Sequence, residues 1–336
     1  MKKLDNKIDY LIVGQGISGT CFAWKSYIGK QTFKIIDKEN SFSASKASVG
    51  IYNPITGRKF NVTWNVDKLF NELKYFYTQV EKILDEKLLF EKNIFRPFKD
   101  NSTINDWNIR LASKKYQKFC EKINDDGILT NTSGYLDVKK FLLSSKKYFD
   151  KLGRYKRENF DKNKLKIKEN YFSYKNEEFK YVIMCTGISE KKINLFGGIK
   201  LNGVSGNSII IQSKMENKNI INKGINILPI KKYVYHIGST YYHNVIDEGP
   251  DELVNKTKNL IKDDISLIDS RFGIRSTSKD RRPIVGEHNK IKNLFIINAM
   301  GSKGVSQAPY CSEKLFNYIN EDKNIDKEIN IDRYRS

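Results

Sequence analysis

A glycine-rich turn set between two apolar strands constrains this chain more than any other feature. Tyr10-Leu-Ile-Val13 is a short apolar run that enters Gly14-x-Gly16-x-x-Gly19 directly. A helical segment follows, and a second apolar run, Phe33 to Ile36, ends on Asp37. Each part has a mechanical reason. Gly14 permits the tight turn, Gly16 lets backbone approach a pyrophosphate with no Cβ between them, and Gly19 lets the helix pack on the strand. The free N–H groups at the start of the helix carry the positive end of its dipole toward the phosphates. Asp37 is placed to accept from ribose hydroxyls, and its charge would repel the extra phosphate of NADP. Strand, glycines, helix, strand and acid in that order predict a βαβ unit that binds a dinucleotide, with Ile17, Ser18 and Lys38 inside the same unit.

At 336 residues the chain is long enough for two domains, or for one with a large insertion. Cys21, Cys120, Cys185 and Cys311 are scattered with no Cys-x-x-Cys, which predicts a reducing, cytoplasmic setting without disulfides or zinc. His236, His243 and His288 lack metal-ligand spacing, so no metal is expected. Lys2-Lys3 is followed by Asp5, Asn6, Lys7 and Asp9 and no apolar segment of a signal peptide, and no apolar run approaches a membrane span. The net charge is +21, yet only eleven arginines contribute, and the lysines are spread along the chain beside abundant asparagine and isoleucine. That charge is either compositional, as in a genome poor in G and C, or the mark of a polyanionic partner.

Past the nucleotide unit, Ser43 to Gly50 is a loop of small residues. Leu69, Leu73, Phe76, Val80 and Leu84 recur at helical spacing from Asp67 onward. Segment 86–134 is aromatic and irregular (Phe90, Phe95, Phe98, Trp107), as expected of an inserted region covering a site. Gly134 to Val138 leads a helix to about Phe149. Leu165–Ile167, Tyr171–Tyr174 and Tyr181–Met184 read as a β-meander that delivers Cys185-Thr186-Gly187. Strands dominate from about 199 to 246, a helix is expected over Leu253–Ile268, and a charged tail from about Asn320. Asp125-Asp126 and Asp263-Asp264 read as solvated turns or helix starts. Trp64 and Trp107 read as core or lid residues rather than a cage for a cation.

Four separated stretches belong together: the glycine turn with Asp37, the Ala44-Ser45 loop to Gly50, Cys185-Thr186-Gly187, and a C-terminal region. The last reads Gly273-Ile-Arg275 through Arg281-Arg-Pro283-Ile-Val-Gly286, then Asn298-Ala-Met-Gly301-Ser-Lys-Gly304-Val-Ser-Gln-Ala308-Pro309. In this order they resemble the D-amino-acid oxidase/glycine oxidase family of FAD-dependent oxidoreductases. Within it the pattern is nearest to glycine oxidase-like members and to the oxidase domain of the bacterial enzyme that makes methylaminomethyl-uridine in tRNA. The ends of the chain match well, and about 60–130 and 190–270 match only in pattern.

The resemblance implies roles. Arg275 would hold a substrate carboxylate in a bidentate pair over the flavin. Gly301, Ser302, Lys303, Gly304 and Val305 would open a helix at the flavin's pyrimidine edge, where Lys303 either adds to the field or points to solvent. Ala44, Ser45 and Lys46 would pass the pyrophosphate, and Thr186-Gly187 would form a second turn against the dinucleotide. Tyr241 and Tyr242 either line the substrate pocket or pack on their sheet. Relatives that tether FAD do so through a cysteine near Gly-x-Arg, and none lies in 186–310, so the FAD is expected to be non-covalent. Cys185 stands where the family usually has alanine.

The expected architecture is α/β. A Rossmann-like FAD-binding domain (1–60, 135–195 and 271–336) is interleaved with an α+β substrate domain (61–134 and 196–270) built on a mostly antiparallel sheet. The expected function is oxidation of a small amino acid or N-substituted glycine at the carbon beside nitrogen, with hydrolysis of the resulting imine. Dioxygen or an electron carrier would take the electrons. Two alternatives stand: removal of a carboxymethyl group from a modified uridine of tRNA, and a flavin-binding protein without turnover.

Overall fold

The computed structural model describes residues 7–57, 59–243, 247–261 and 263–335. The Lys2-Lys3 to Asn6 segment and the end of the 199–246 strand region lie outside them. Strand β1 (Ile8–Val13) is followed by helix α1 (Ile17–Ile28) and strand β2 (Phe33–Asp37). β1 lies between β2 and strand Glu177–Met184, both parallel to it. Strand Tyr155–Arg157 extends this sheet beyond β2, and Leu294–Asn298 lies parallel to Glu177–Met184 on the other side. The meander expected from Leu165 closes that side through antiparallel pairing of Leu165–Ile167, Phe172–Tyr174 and Glu177–Met184.

α1 is apolar on nearly all faces because it is covered all round, by the sheet, by helix Val138–Lys151 and by helix Gly304–Glu321. Trp24 is fully buried, and its indole N–H reaches Ser145 Oγ at 2.7 Å. Helix α2 (Val66–Leu84) carries the predicted spacing, with Leu69, Leu73, Phe76 and Val80 buried. It also resolves a backbone problem in Gly304–Glu321. Pro309 supplies no N–H to the carbonyl of Val305, four residues earlier, and the buried Tyr77 hydroxyl of α2 donates to that carbonyl at 3.1 Å.

The second large sheet has eight strands in the order Ile265–Thr277, Asn202–Ser213, Val234–Gly238, Ile225–Lys231, Ile220–Lys223, Ile94–Pro97, Gly127–Thr130, Cys120–Ile123. All neighbours are antiparallel except Ile220–Lys223 with Ile94–Pro97. The fold is therefore mixed α/β with a mostly antiparallel second sheet.

Two expectations need correction. The helix expected over Leu253–Ile268 ends at Ile261, and Ile265 opens a strand. Helical spacing carries past that point, but Asp263 accepts from Ser213 Oγ at 2.6 Å and Ile265 pairs with Ser213, so sheet pairing prevails over local pattern. No described residue of segment 86–134 lines the main cavity, so the expected cover over a site is not seen there. The segment contributes three strands to the second sheet and buries Trp107 (1% exposed) against Phe60 and Tyr116. The charged tail folds back on the body: Ile325, Ile329 and Ile331 are buried, and Val285 N–H donates to Ile329 O at 2.9 Å. Asp125-Asp126 does form a turn, between two strands.

Candidate functional site

A cavity of about 850 Å³ lies where the two large sheets meet. At one end it is walled by backbone. Gly14 has φ +104°, and a Cβ there would sit 2.5 Å from the carbonyl oxygen of Cys185. A Cβ on Gly19 would lie 1.9 Å from the oxygen of Gly14, so this residue supports the turn from beneath and does not line the cavity. Gly16 faces the cavity, with Ser45 Oγ 3.3 Å from the position of a Cβ. That hydroxyl accepts the N–H of Ile17 at 3.0 Å, so the 43–50 loop reaches the start of α1 through Ser45. Asp37 is held from both sides: Oδ1 accepts from Gln15 N–H at 3.1 Å and Oδ2 from Glu39 N–H at 2.7 Å. Ser18, Lys38, Ala44, Thr186 and Gly187 also line this half.

Helix Gly304–Glu321 begins beside the start of α1, where a Cβ on Gly304 would be 2.9 Å from the Ile17 side chain. Two positive helix ends therefore converge on one cavity. The turn before this helix is tied to the large sheet by Gly301 N–H to Ser276 O, 2.9 Å. Gly301, Ser302, Gly304 and Val305 line the cavity. Thr186 donates to Glu190 at 2.8 Å, and burial pushes the Glu190 carboxyl above its ordinary range. Asn298 donates its side-chain amide to Gly187 O at 3.0 Å.

The opposite wall is made of side chains. Arg275, on strand Ile265–Thr277, is half-buried and lines the cavity. Its Nη1 donates to Ser205 O at 3.2 Å and Thr240 O at 3.3 Å, and Nη2 donates to Ser239 Oγ at 2.7 Å. The Tyr241 ring stacks on the guanidinium at 4.4 Å from its centroid. Burial lowers the Arg275 pKa, and Tyr241 works in the other direction. Among the described residues no carboxylate pairs with it, and part of its five-donor fork has no acceptor. A half-buried cation held on neutral acceptors, at a cavity wall, is suited to an anionic ligand.

The structure does not bring every expected residue to this place. Tyr242 follows Tyr241 but turns away, its hydroxyl on Glu252 and its backbone paired with Ser205. Neighbours on an extended chain face opposite sides. Lys303 does not line the cavity either. Its ammonium is half-buried, and burial followed by Arg282 and Arg281 lowers its pKa. Trp64, expected as core or lid, stacks under Arg282 at 4.9 Å. His236 is buried on Ser208 Oγ at 3.1 Å and pulled down to about 3 by burial, with Arg271 adding to it.

Sequence reasoning passes over Ser239, Gly206 and Gln15. A Cβ on Gly206 would lie 2.1 Å from Thr240 O and 2.9 Å from Arg275 Nη1, so only glycine leaves room for the arginine. A lone glycine inside a strand pattern is the signal that could have found it.

The residues present fit a flavin dinucleotide: an acid held by two backbone N–H groups after the second strand, the glycine turn and two helix starts all line one cavity of about 850 Å³. The family model for FAD dependent oxidoreductases matches residues 9–317. The chain belongs to that family. It is an FAD-dependent oxidoreductase, and its resident cofactor is FAD. Over 97% of its length it superposes on iminodiacetate oxidase from Chelativorans sp. BNC1 (98% of that chain, TM-score 0.75, 17% identity). Glycine oxidase from Bacillus cereus superposes over 95% (98% of that chain, TM-score 0.73, 18% identity). In sequence it is 25% identical, over 89% of its length, to the tRNA 5-methylaminomethyl-2-thiouridine biosynthesis bifunctional protein MnmC of Campylobacter concisus. The chain covers 54% of that relative. Among the described residues no helix is long and apolar enough to cross a membrane.

Proposed function

We propose that this FAD-dependent oxidoreductase oxidises an amine bearing a carboxylate, a small amino acid or an N-substituted glycine, at the carbon beside nitrogen. The observation that carries this reading is Arg275, a half-buried guanidinium at the cavity wall with spare donors and no carboxylate of its own among the described residues. The carboxylate would take the free part of the fork, and the carbonyls of Ser205 and Thr240 and the hydroxyl of Ser239 would keep the guanidinium from following the ligand. Tyr241 would cover one face of the guanidinium and leave its edge to the carboxylate. The substrate loses a hydride from carbon and a proton from nitrogen, and water splits the imine into an amine or ammonia and a carbonyl product. Bound FAD supplies the two-electron acceptor, held by the Gly14–Gly19 turn, Asp37, the Ser45 loop and the Gly301–Gly304 turn. With no cysteine in 186–310, non-covalent binding is the form this chain supports. Four buried free cysteines accord with a reducing, cytoplasmic setting. The names of two structural neighbours, iminodiacetate oxidase and glycine oxidase, support the substrate class.

A second reading places the same N-substituted glycine on a uridine of tRNA. The charge of +21 and the name of the Campylobacter concisus relative favour it. Anaerobic bleaching of the flavin's visible band separates the readings. Bleaching by glycine, sarcosine, iminodiacetate or a D-amino acid supports the first, and bleaching by undermodified tRNA alone supports the second. A properly bound flavin that none of these reduces would overturn both.

A further inference from the structure

Beside the cavity, outside its lining, lie three cations that make no ion pair among the described residues. Lys303 is the residue before helix Gly304–Glu321, and its neighbours in sequence line the cavity on both sides. The turn that carries it is tied to the end of the strand that leads into Arg281 and Arg282, by Gly301 N–H to Ser276 O at 2.9 Å and by the pairing of Met300 with Thr277. Burial, then Arg282 and Arg281, lower the pKa of its half-buried ammonium. Arg282 is stacked on the Trp64 ring, 4.9 Å from its centroid, and Arg281 is exposed in a turn where its backbone takes φ +58°. Among the described residues no ion pair involves any of the three. The acid of this turn, Asp280, is committed to Arg333, to the N–H of Arg282 and to Ser278. Glu328, near Trp64, accepts from the indole N–H at 2.8 Å.

Like charges gathered against a protein surface repel one another, and burial of one of them adds to the cost. Random scatter of lysine along a lysine-rich chain does not produce this arrangement, because two of the three residues are arginines of only eleven in the chain. Arginine stacked on an aromatic ring, beside a second arginine and a lysine, is a donor set for phosphate oxygens.

We infer that Arg281, Arg282 and Lys303 form a phosphate-binding site at the side of the flavin cavity, which holds the backbone of an RNA strand whose modified nucleoside enters the cavity. This rests on the second reading above and gives it a location. The strand would lie across the start of helix Gly304–Glu321, with the Trp64 ring holding the Arg282 guanidinium in one orientation.

The test is equilibrium binding of undermodified bulk tRNA to the FAD-loaded protein across a salt series. For wild type, log K should fall linearly with log salt. In Arg281→Gln/Arg282→Gln the slope should be shallower by about 0.7–0.9 for each phosphate the protein no longer neutralises, and affinity at low salt should drop tenfold or more. Arg281→Lys/Arg282→Lys keeps the charges and should keep most of the slope. Lys147→Gln/Lys151→Gln, removing two exposed charges on helix Val138–Lys151, should leave affinity and slope within twofold of wild type. The inference is overturned if wild type does not bind tRNA, or if the arginine pair and the helix pair have equal effects. Flavin bleaching in the same wild-type preparation reports separately on the chemistry. Localised RNA binding without bleaching leaves the site standing and sinks the reading it rests on, and bleaching by tRNA without localised binding does the reverse.

Discussion

The two walls of the cavity are built by different means. The wall at the nucleotide end is main chain: turns at Gly14–Gly19, Thr186-Gly187 and Gly301–Gly304, with Asp37 fixed by two backbone N–H groups. The wall opposite is side chain: Arg275 from one strand, resting on Ser205 from its neighbour and on Ser239 and Thr240 from a loop. A main-chain wall recognises what every member of a cofactor class shares, phosphates and ribose. A side-chain wall can be rebuilt residue by residue without disturbing the turns, so on the proposed function it is where substrate choice would reside.

The largest expected effect tests whether the first wall is built as described. Gly19→Ala would put a Cβ 1.9 Å from Gly14 O, backbone against backbone, and should cost about 3 kcal/mol or more. The variant should purify without flavin and with a lowered urea midpoint. Gly16→Ala meets only the Ser45 hydroxyl, at 3.3 Å, so it should fold near wild type and lose FAD affinity instead. Equal folding defects in the two variants would break the distinction between a glycine that supports the turn and one that faces the ligand.

Next in size is Arg275→Met, which keeps the volume and removes the charge. Flavin content should be retained, while kcat/KM for a carboxylate-bearing amine falls by a factor of about 10² to 10³, about 3–4 kcal/mol. Arg275→Lys should recover only part of this, because an ammonium cannot reproduce the fork. Stopped-flow flavin reduction measures both. Equal loss of flavin and of turnover would mean that the two walls are not separable.

That separation also explains what could be read from sequence. The nucleotide wall is legible because its demands fall on backbone: a turn that excludes Cβ leaves glycines at fixed offsets, and Asp37 follows at the end of a strand. Arg275 becomes visible only through resemblance. Its seat is assembled from Ser205, Gly206, Ser239 and Thr240, which are brought to it by strand pairing across 35 to 70 residues. Tyr241 and Tyr242 look equivalent in sequence, and the face each occupies is decided by the Ser205–Tyr242 pairing, which no local pattern encodes. The same reason explains the overlong 253–268 helix, where a partner strand decides the outcome.

Asp37→Asn tests the fixed acid on the main-chain wall. The amide keeps a single acceptor where the carboxylate offers two oxygens to Gln15 and Glu39, and it loses the charge. FAD should bind about ten- to a hundredfold more weakly, about 1.4–2.8 kcal/mol, with folding little changed. Fluorescence titration of the apoprotein with FAD measures this, and an unchanged Kd would show that main chain alone sets affinity there.

The smallest effect lies behind both walls, in the helices that carry the main-chain turns. Glu72 sits on α2 near the ion pair that Lys25 of α1 makes with Glu313 of helix Gly304–Glu321. Burial, with Glu313 adding to it and Lys25 and Lys314 opposing, pushes its carboxyl from 4.5 up to about 7. A carboxyl that holds its proton more tightly when folded makes folding take up protons between those values. The stability it contributes is complete below pH 4.5 and is lost as pH rises through 7. Because the group keeps contact with solvent, screening reduces the effect to about 1–2 kcal/mol. Glu72→Gln removes the titration, so its Tm should exceed wild type by about 2–4 °C at pH 8 and match it at pH 4. A constant difference at both pH values would assign the effect to packing and leave the helix layer without a proton-linked weakness.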